Sequence, residues 1–154
     1  MPANATGDFV YSSFVSGLMT GGFNLASNNI NMILVTSSYA PTSNPNDGYK
    51  TLANVLSVEA TGTGYSSSGQ ALTSKNVWQD DYADLARFDA DDVTWSSSTI
   101  TASGAILLKL GTLANGSDSP LIAFYSFGAN KSSSAGAFTV AAHASGYYEI
   151  ASTC

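Results

Sequence analysis

Short apolar runs separated by serine, glycine and asparagine set the pattern of this chain. Residues 30–36, 104–110, 121–127 and 138–142 are brief and rich in β-branched, aliphatic or aromatic side chains. Turn formers bound them, which predicts buried strands. Within 121–127, Ile122, Phe124 and Ser126 fall on one predicted face. Val93 and Trp95 precede the serine run 96–98, and Ile100 and Ala102 follow it, so that run reads as a turn. Residues 71–78 alternate without one parity for Leu72 and Val77, which predicts a bulge or bend. Residues 52–56 read as helical or irregular. A strand start is expected at 58–61, before the break Gly62-Thr63-Gly64. Residues 39–50 are dense in Pro, Asn, Asp and Gly and read as turns. Residues 80–84 read as an acidic loop, 131–136 as another loop, and 146–150 as a closing strand.

One helical period stands out near the N-terminus. Val10, Phe14 and Leu18 recur at i, i+4 and i+8, and Tyr11 and Val15 widen the stripe. Asp8 is the expected cap and Gly21-Gly22 the expected stop. Residues 1–7 read as an arm. Short strands spaced by turns, without long amphipathic helices, predict a mainly β fold. The expected form is an antiparallel sandwich or barrel-like domain over residues 8–154, with one short helix and an N-terminal arm.

Composition narrows the chemistry. The 154 residues hold 44% hydrophobic side chains, enough for a core, but only 10% charged ones. The net charge is -6 and the pI about 4.2. Lys50, Lys75, Arg87, Lys109 and Lys131 are scattered, so no basic track for nucleic acid or an anionic membrane is expected. Cys154, the one cysteine, excludes an internal disulfide and reads as a free thiol. No apolar run has membrane-span length and no secretory signal is expected. Glycosylation-type motifs at Asn4, Asn115 and Asn130 read as chance in so hydroxyl-rich a chain.

Candidate sites are few. Asp89, Asp91 and Asp92 could supply oxygens to a hard cation such as calcium, but the spacing lacks an EF-hand's glycine and closing Glu. The competing reading is a solvated turn, with Arg87 pairing locally with an Asp. Trp78, Trp95 and Tyr82 beside the Asp cluster form a sugar-stacking set, against a core role for Trp95. Paired carboxylates for glycoside hydrolysis cannot be read from spacing. His143 lies among small residues without the Gly-x-Ser-x-Gly elbow of a Ser–His hydrolase. The stretch 62–69 has a phosphate loop's glycines but lacks its Gly-Lys-Ser/Thr ending. No cofactor is expected, and the protein reads as a non-enzyme.

The order of segments is more specific than any single motif. It includes Met32-Ile33-Leu34-Val35-Thr36-Ser37-Ser38-Tyr39-Ala40-Pro41 and Gly62-Thr63-Gly64-Tyr65, with Gly69 and Ala71-Leu72. Phe88-Asp89-Ala90-Asp91-Asp92-Val93-Thr94-Trp95 and Ser98-Thr99-Ile100-Thr101-Ala102 follow. Ser119-Pro120-Leu121-Ile122-Ala123 and Phe127-Gly128-Ala129 complete it. In this order the chain resembles small virion structural proteins of tailed bacteriophages, some of which are capsid decoration (cement) proteins.

The resemblance implies a virion protein made in the bacterial cytoplasm and placed on the capsid surface. Its implied partners are the major capsid protein and further copies of itself, with a trimer favoured. It transfers no catalytic residue. Val10, Phe14 and Leu18, with the arm, are the expected capsid or oligomer contact. The alternative for the helix is that it covers an open end of the sandwich. The alternatives for function are a tail or head-fibre adaptor or receptor-facing module, and a carbohydrate-binding module.

Overall fold

The computed structural model describes residues 8–40, 50–113 and 116–151. The expected arm 1–7, most of the turn-rich segment 39–50, Asn4, Asn115 and Cys154 lie outside them. Among the described residues the protein is mainly β, with antiparallel sheets and one helix near the N-terminus.

The strands in chain order are β1 (Phe9–Val10), β2 (Ile30–Val35), β3 (Gly62–Thr63), β4 (Gln70–Ala71) and β5 (Asn76–Asp80). They continue with β6 (Leu85–Asp89), β7 (Val93–Lys109), β8 (Leu121–Ser132), β9 (Gly136–Val140) and β10 (Tyr148–Ala151). The helix α1 spans Ser12–Met19. A seven-stranded sheet runs in the order β1-β8-β7-β2-β4, with β3 and β9 also paired to β7. A three-stranded sheet has the order β10-β6-β5.

The organising element is β7, at 17 residues. The serine turn expected at 96–98 does not break it. One extra β7 residue between Trp95 and Ser98 is absorbed as a bulge, with Ser97 at φ 50°. A bulge shifts side-chain parity without ending the strand. Val93 and Trp95 therefore point inward before it, and Ser98, Ile100 and Ala102 after it. The separate strands expected at 93–95 and 104–110 are one element. Likewise, β8 runs on into the loop expected from residue 131. It pairs with β7 from Leu108↔Leu121 to Thr101↔Ser132, and β9 then continues from Ser98↔Gly136 to Val93↔Val140.

A second bulge corrects another expectation. Opposite Leu107 and Leu108, β8 pairs Ala123 and Leu121, leaving Ile122 as the extra residue. Ile122 and Phe124 consequently sit in opposite core clusters, not on one face.

Residues 104–108 are buried on both faces of the sheet. On one side Met32, Leu34, Ala105 and Leu107 pack with Phe14 of α1 and with Phe88 and Tyr148 of the small sheet. On the other, Ile33, Val35, Ile106 and Leu108 meet Tyr11, Tyr39, Leu52 and Val55. Leu52 belongs to the first of two 3-10 turns, Leu52–Asn54 and Leu56–Val58, where the sequence reads as helical or irregular. The strand expected to start at Val58 starts at Gly62, after Glu59 makes an isolated bridge to Val35.

At Gly69 the 62–71 loop closes against β2. Its φ is +68°, and a Cβ there would lie 1.9 Å from the Met32 carbonyl oxygen. Only glycine meets both demands.

Helix α1 departs from expectation at its start. The N-cap is Tyr11, with no side-chain cap. Asp8 instead accepts the Ser126 backbone N–H at 2.7 Å, pinning the start of β1 to β8. Val10 belongs to β1 and pairs with Ala123.

Candidate functional site

The contact face expected on α1 is turned inward. Phe14 is fully buried, edge-on to Phe23 and Tyr148 at ring-centroid distances of 4.9 and 5.4 Å. Val10 and Leu18 are partly buried against the same cluster. The helix thus covers part of the core. Its outward flank carries Val15 and Met19, and Met19 is 84% exposed.

The aspartates proposed as cation ligands are not brought together. Asp91 accepts hydrogen bonds from the Thr73 and Ser74 hydroxyls at 2.9 and 2.6 Å. These bonds stabilise the carboxylate and hold its pKa below the usual value. Asp92 accepts the Ala142 N–H at 2.9 Å. Asp89 ends β6, with Oδ1 enclosed and without a hydrogen-bond partner. Among the described residues no group of three or more His, Cys, Asp or Glu side chains is placed to hold a metal ion.

The same use of carboxylates recurs where sequence reading missed it. Glu59 is 8% exposed. It accepts hydrogen bonds from the Tyr65 hydroxyl at 2.8 Å, the Ser67 hydroxyl at 3.0 Å and the Ser68 N–H at 2.8 Å. Tyr65 in turn accepts the Leu34 N–H. Burial first, and then the neighbouring Glu59 charge, push the Tyr65 phenol pKa up. The glycine-rich stretch 62–69 therefore directs donors at an internal carboxylate. Asp118 serves the 111–118 loop likewise, accepting the Thr112 and Leu113 N–H groups. A carboxylate just before a hydroxyl-rich stretch was the available signal for Glu59.

The sugar-stacking set is dispersed. Trp95 is 1% exposed and lies between Tyr65 and Phe138. Trp78 is half-buried. Tyr82 is the opposite case, at 101% relative exposure in the turn joining β5 to β6. Asp80 accepts the Tyr82 and Ala83 N–H groups and pairs with Arg87 at 3.4 Å. The acidic loop of the sequence is thus a braced hairpin tip with an aromatic ring held in water. Val77 and Ile150 are also exposed on this small sheet.

A groove of about 720 Å³ opens beside β8 and β9. Tyr125, Phe127, Phe138, Val140 and Tyr147 line it, with Lys131, His143 and Asp8 among its polar groups. Its tyrosines are tethered. Tyr125 donates to the Tyr147 carbonyl at 2.6 Å, and Tyr147 donates to the Asp91 carbonyl at 3.2 Å. Burial pushes both phenol pKa values up. His143 accepts the Ser145 N–H at Nδ1, closing a local turn.

No family model, curated protein or solved structure matches this chain. Among the described residues no helix is long and apolar enough to cross a membrane.

Proposed function

We propose that the protein is a non-enzymatic structural component of a tailed-phage virion, specifically a capsid decoration protein. It binds the major capsid protein as a homo-oligomer and reinforces the shell. One structural observation carries the non-catalytic part. The acidic side chains act as local staples: Glu59, Asp80, Asp91, Asp92 and Asp118 each hold a turn or loop. A general acid–base site instead needs such groups converging on a cleft with tuned pKa values. The virion assignment rests on the ordered sequence segments given above.

A decoration protein stabilises a shell through contact area, and many weak contacts add up when copies are linked. The doubly buried sheet supplies a stiff body for that task. With Phe14 committed to the core, the shell-facing candidate on α1 becomes Val15 and Met19. They lie four residues apart, adjacent on the helix surface.

Cryo-electron microscopy of purified particles, with mass spectrometry, tests the assignment. Density on the outer shell and lower heat resistance of particles assembled without the protein are expected. Density on the tail or a head fibre would replace the decoration role with the adaptor role. Absence from particles, or turnover of a substrate by the purified chain, would overturn the proposal. The double variant Val15→Asp/Met19→Asp is expected to fold and to lose shell binding.

A further inference from the structure

We infer that the outer edge of β5 is a two-fold interface, at which the β5 strands of two copies of this chain pair antiparallel about Trp78. The contact deepens the homo-oligomer part of the proposed function and rests on that reading for its setting. It forms between free chains, so it needs no capsid.

The edge is open. β5 ends the small sheet, with β6 on one side and no strand on the other. It pairs with β6 from Asn76↔Asp89 to Asp80↔Leu85 without a bulge, and Asn76, Val77 and Gln79 are exposed. Such an edge presents a row of backbone donors and acceptors to another strand. Proteins commonly guard one with proline, a bulge or a very short strand. β5 has five residues and neither proline nor bulge, whereas β1, β3 and β4 have two residues each.

Self-complementarity selects a second copy as the occupant. In an antiparallel pair, directly opposed residues share one hydrogen-bonding type. A two-fold axis between identical strands must therefore pass through a residue. The axis through Trp78 is the one that pairs all five β5 residues. It opposes Asn76 to the partner's Asp80, Val77 to the partner's Gln79, and Trp78 to the partner's Trp78. The same register sets Lys75 against the partner's Asp81 at both ends of the contact. Lys75 has no ion-pair partner among the described residues. An axis through Asp80 would instead oppose two carboxylates.

Tryptophan supplies the anchor. Within one copy, Trp78, Arg87 and Glu149 are directly opposed across β5, β6 and β10. Phe88 and Tyr148, in the adjacent row, turn into the core, so the Trp78 row lies on the outer face of the small sheet. Joining two β5 edges brings two half-buried Trp78 rings together there. Cross-strand aromatic pairs stabilise sheets, and tryptophan is enriched among interface anchors. Acid is in excess around the edge, with Asp80, Asp81 and Asp84 at the tip and Asp91 bound to Ser74. Charge therefore chooses the register, while the backbone ladder and the two rings supply affinity. Five paired residues a side fall well below the roughly 20–30 of a standard interface. The dimer is accordingly weak. Being isologous, it closes at two copies and differs from the trimer that the resemblance implies.

Sedimentation velocity on the purified full-length chain, up to about 500 μM, tests the contact. The wild type is expected to dimerise with a dissociation constant on the order of 10–100 μM. Trp78→Ala should weaken this roughly ten-fold or more. Lys75→Asp and Asp81→Lys should each weaken it several-fold, because each opposes like charges twice. Mixing those two chains should restore dimerisation as a heterodimer, since every opposed pair then has opposite signs. Both chains keep a net negative charge, so overall attraction does not explain that rescue. Amide exchange at residues 76–80 should slow as concentration rises, while exchange at 148–151, the other edge of the small sheet, stays unchanged.

A wild type that remains monomeric would overturn the inference. So would a mixture without charge rescue, or a dimer whose formation leaves exchange in β5 unaltered. Each readout is independent of whether the protein is found on a virion.

Discussion

The centre of β7 and the tip of the β5–β6 hairpin stand in opposite settings. At residues 104–108 both faces of the strand are covered, and Ile106 and Leu107 are fully buried. At the hairpin tip, a tyrosine and several aspartates stand in water. Apolar side chains in the first region stabilise the fold, whereas the aromatic in the second contributes almost nothing to it. Stability is therefore carried by the first region and not by the second. The tip can change its side chains without disturbing the core.

The sharpest way to break this contrast is truncation at the centre. Leu107→Ala and Ile106→Ala are each expected to lower unfolding free energy by about 2–5 kcal/mol, measured by urea denaturation. A loss near zero for either would show that this region is not the stabilising core. Next in size is Gly69→Ala, expected to cost about 1–3 kcal/mol from backbone strain and more if β2 cannot yield. Its loss should exceed that of Gly21→Ala, because a Cβ at Gly21 meets open space although its φ is also positive.

Removing the buried staple, Glu59→Ala, is expected to cost about 1–3 kcal/mol by leaving buried donors unpaired. Hydrogen exchange should localise the loosening to residues 62–70. At the tip, Tyr82→Ala should change unfolding free energy by less than about 0.5 kcal/mol. A larger loss would mean that the tip serves the fold.

Acid provides a milder test. Backbone N–H groups of Thr112 and the other donors in its loop hold the Asp118 pKa below the usual carboxylate value. Asp91 is held low by the Ser74 and Thr73 hydroxyls. Each contribution is fully present above the unfolded-state pKa of about 3.9, and is lost as pH falls through the lower folded-state value. NMR titration should place both midpoints below that of an unfolded-chain aspartate. Equal midpoints would remove these two residues from the set of staples.

Much of the fold was legible in the sequence because strand burial leaves a local mark. The apolar runs at 30–36, 104–110, 121–127 and 138–142 each overlap a strand, since short β-branched or apolar stretches suit a sheet covered on both faces. The helix was legible for the same reason, at Phe14 and Leu18. Failures occurred where the local mark was ambiguous. Three serines in a row look like a turn, yet residues 96–98 remain in β7 because its neighbours continue past them and a bulge takes up the slack. Parity failed at Ile122 for a related reason, since nothing within β8 announces which residue its partner will leave unpaired.

The sequence by itself determined the class of fold, the scarcity of charge, and which stretches had to leave water. Those follow from composition and from periodicity along the chain. Tertiary structure alone decided which face of α1 was covered, that Trp95 went inside while Tyr82 stayed out, and that scattered aspartates became separate staples. It also assembled the groove from β8, β9 and residues 141–147. These outcomes depend on contacts between residues far apart in the chain, whose energies are set by three-dimensional packing and not by neighbours in sequence.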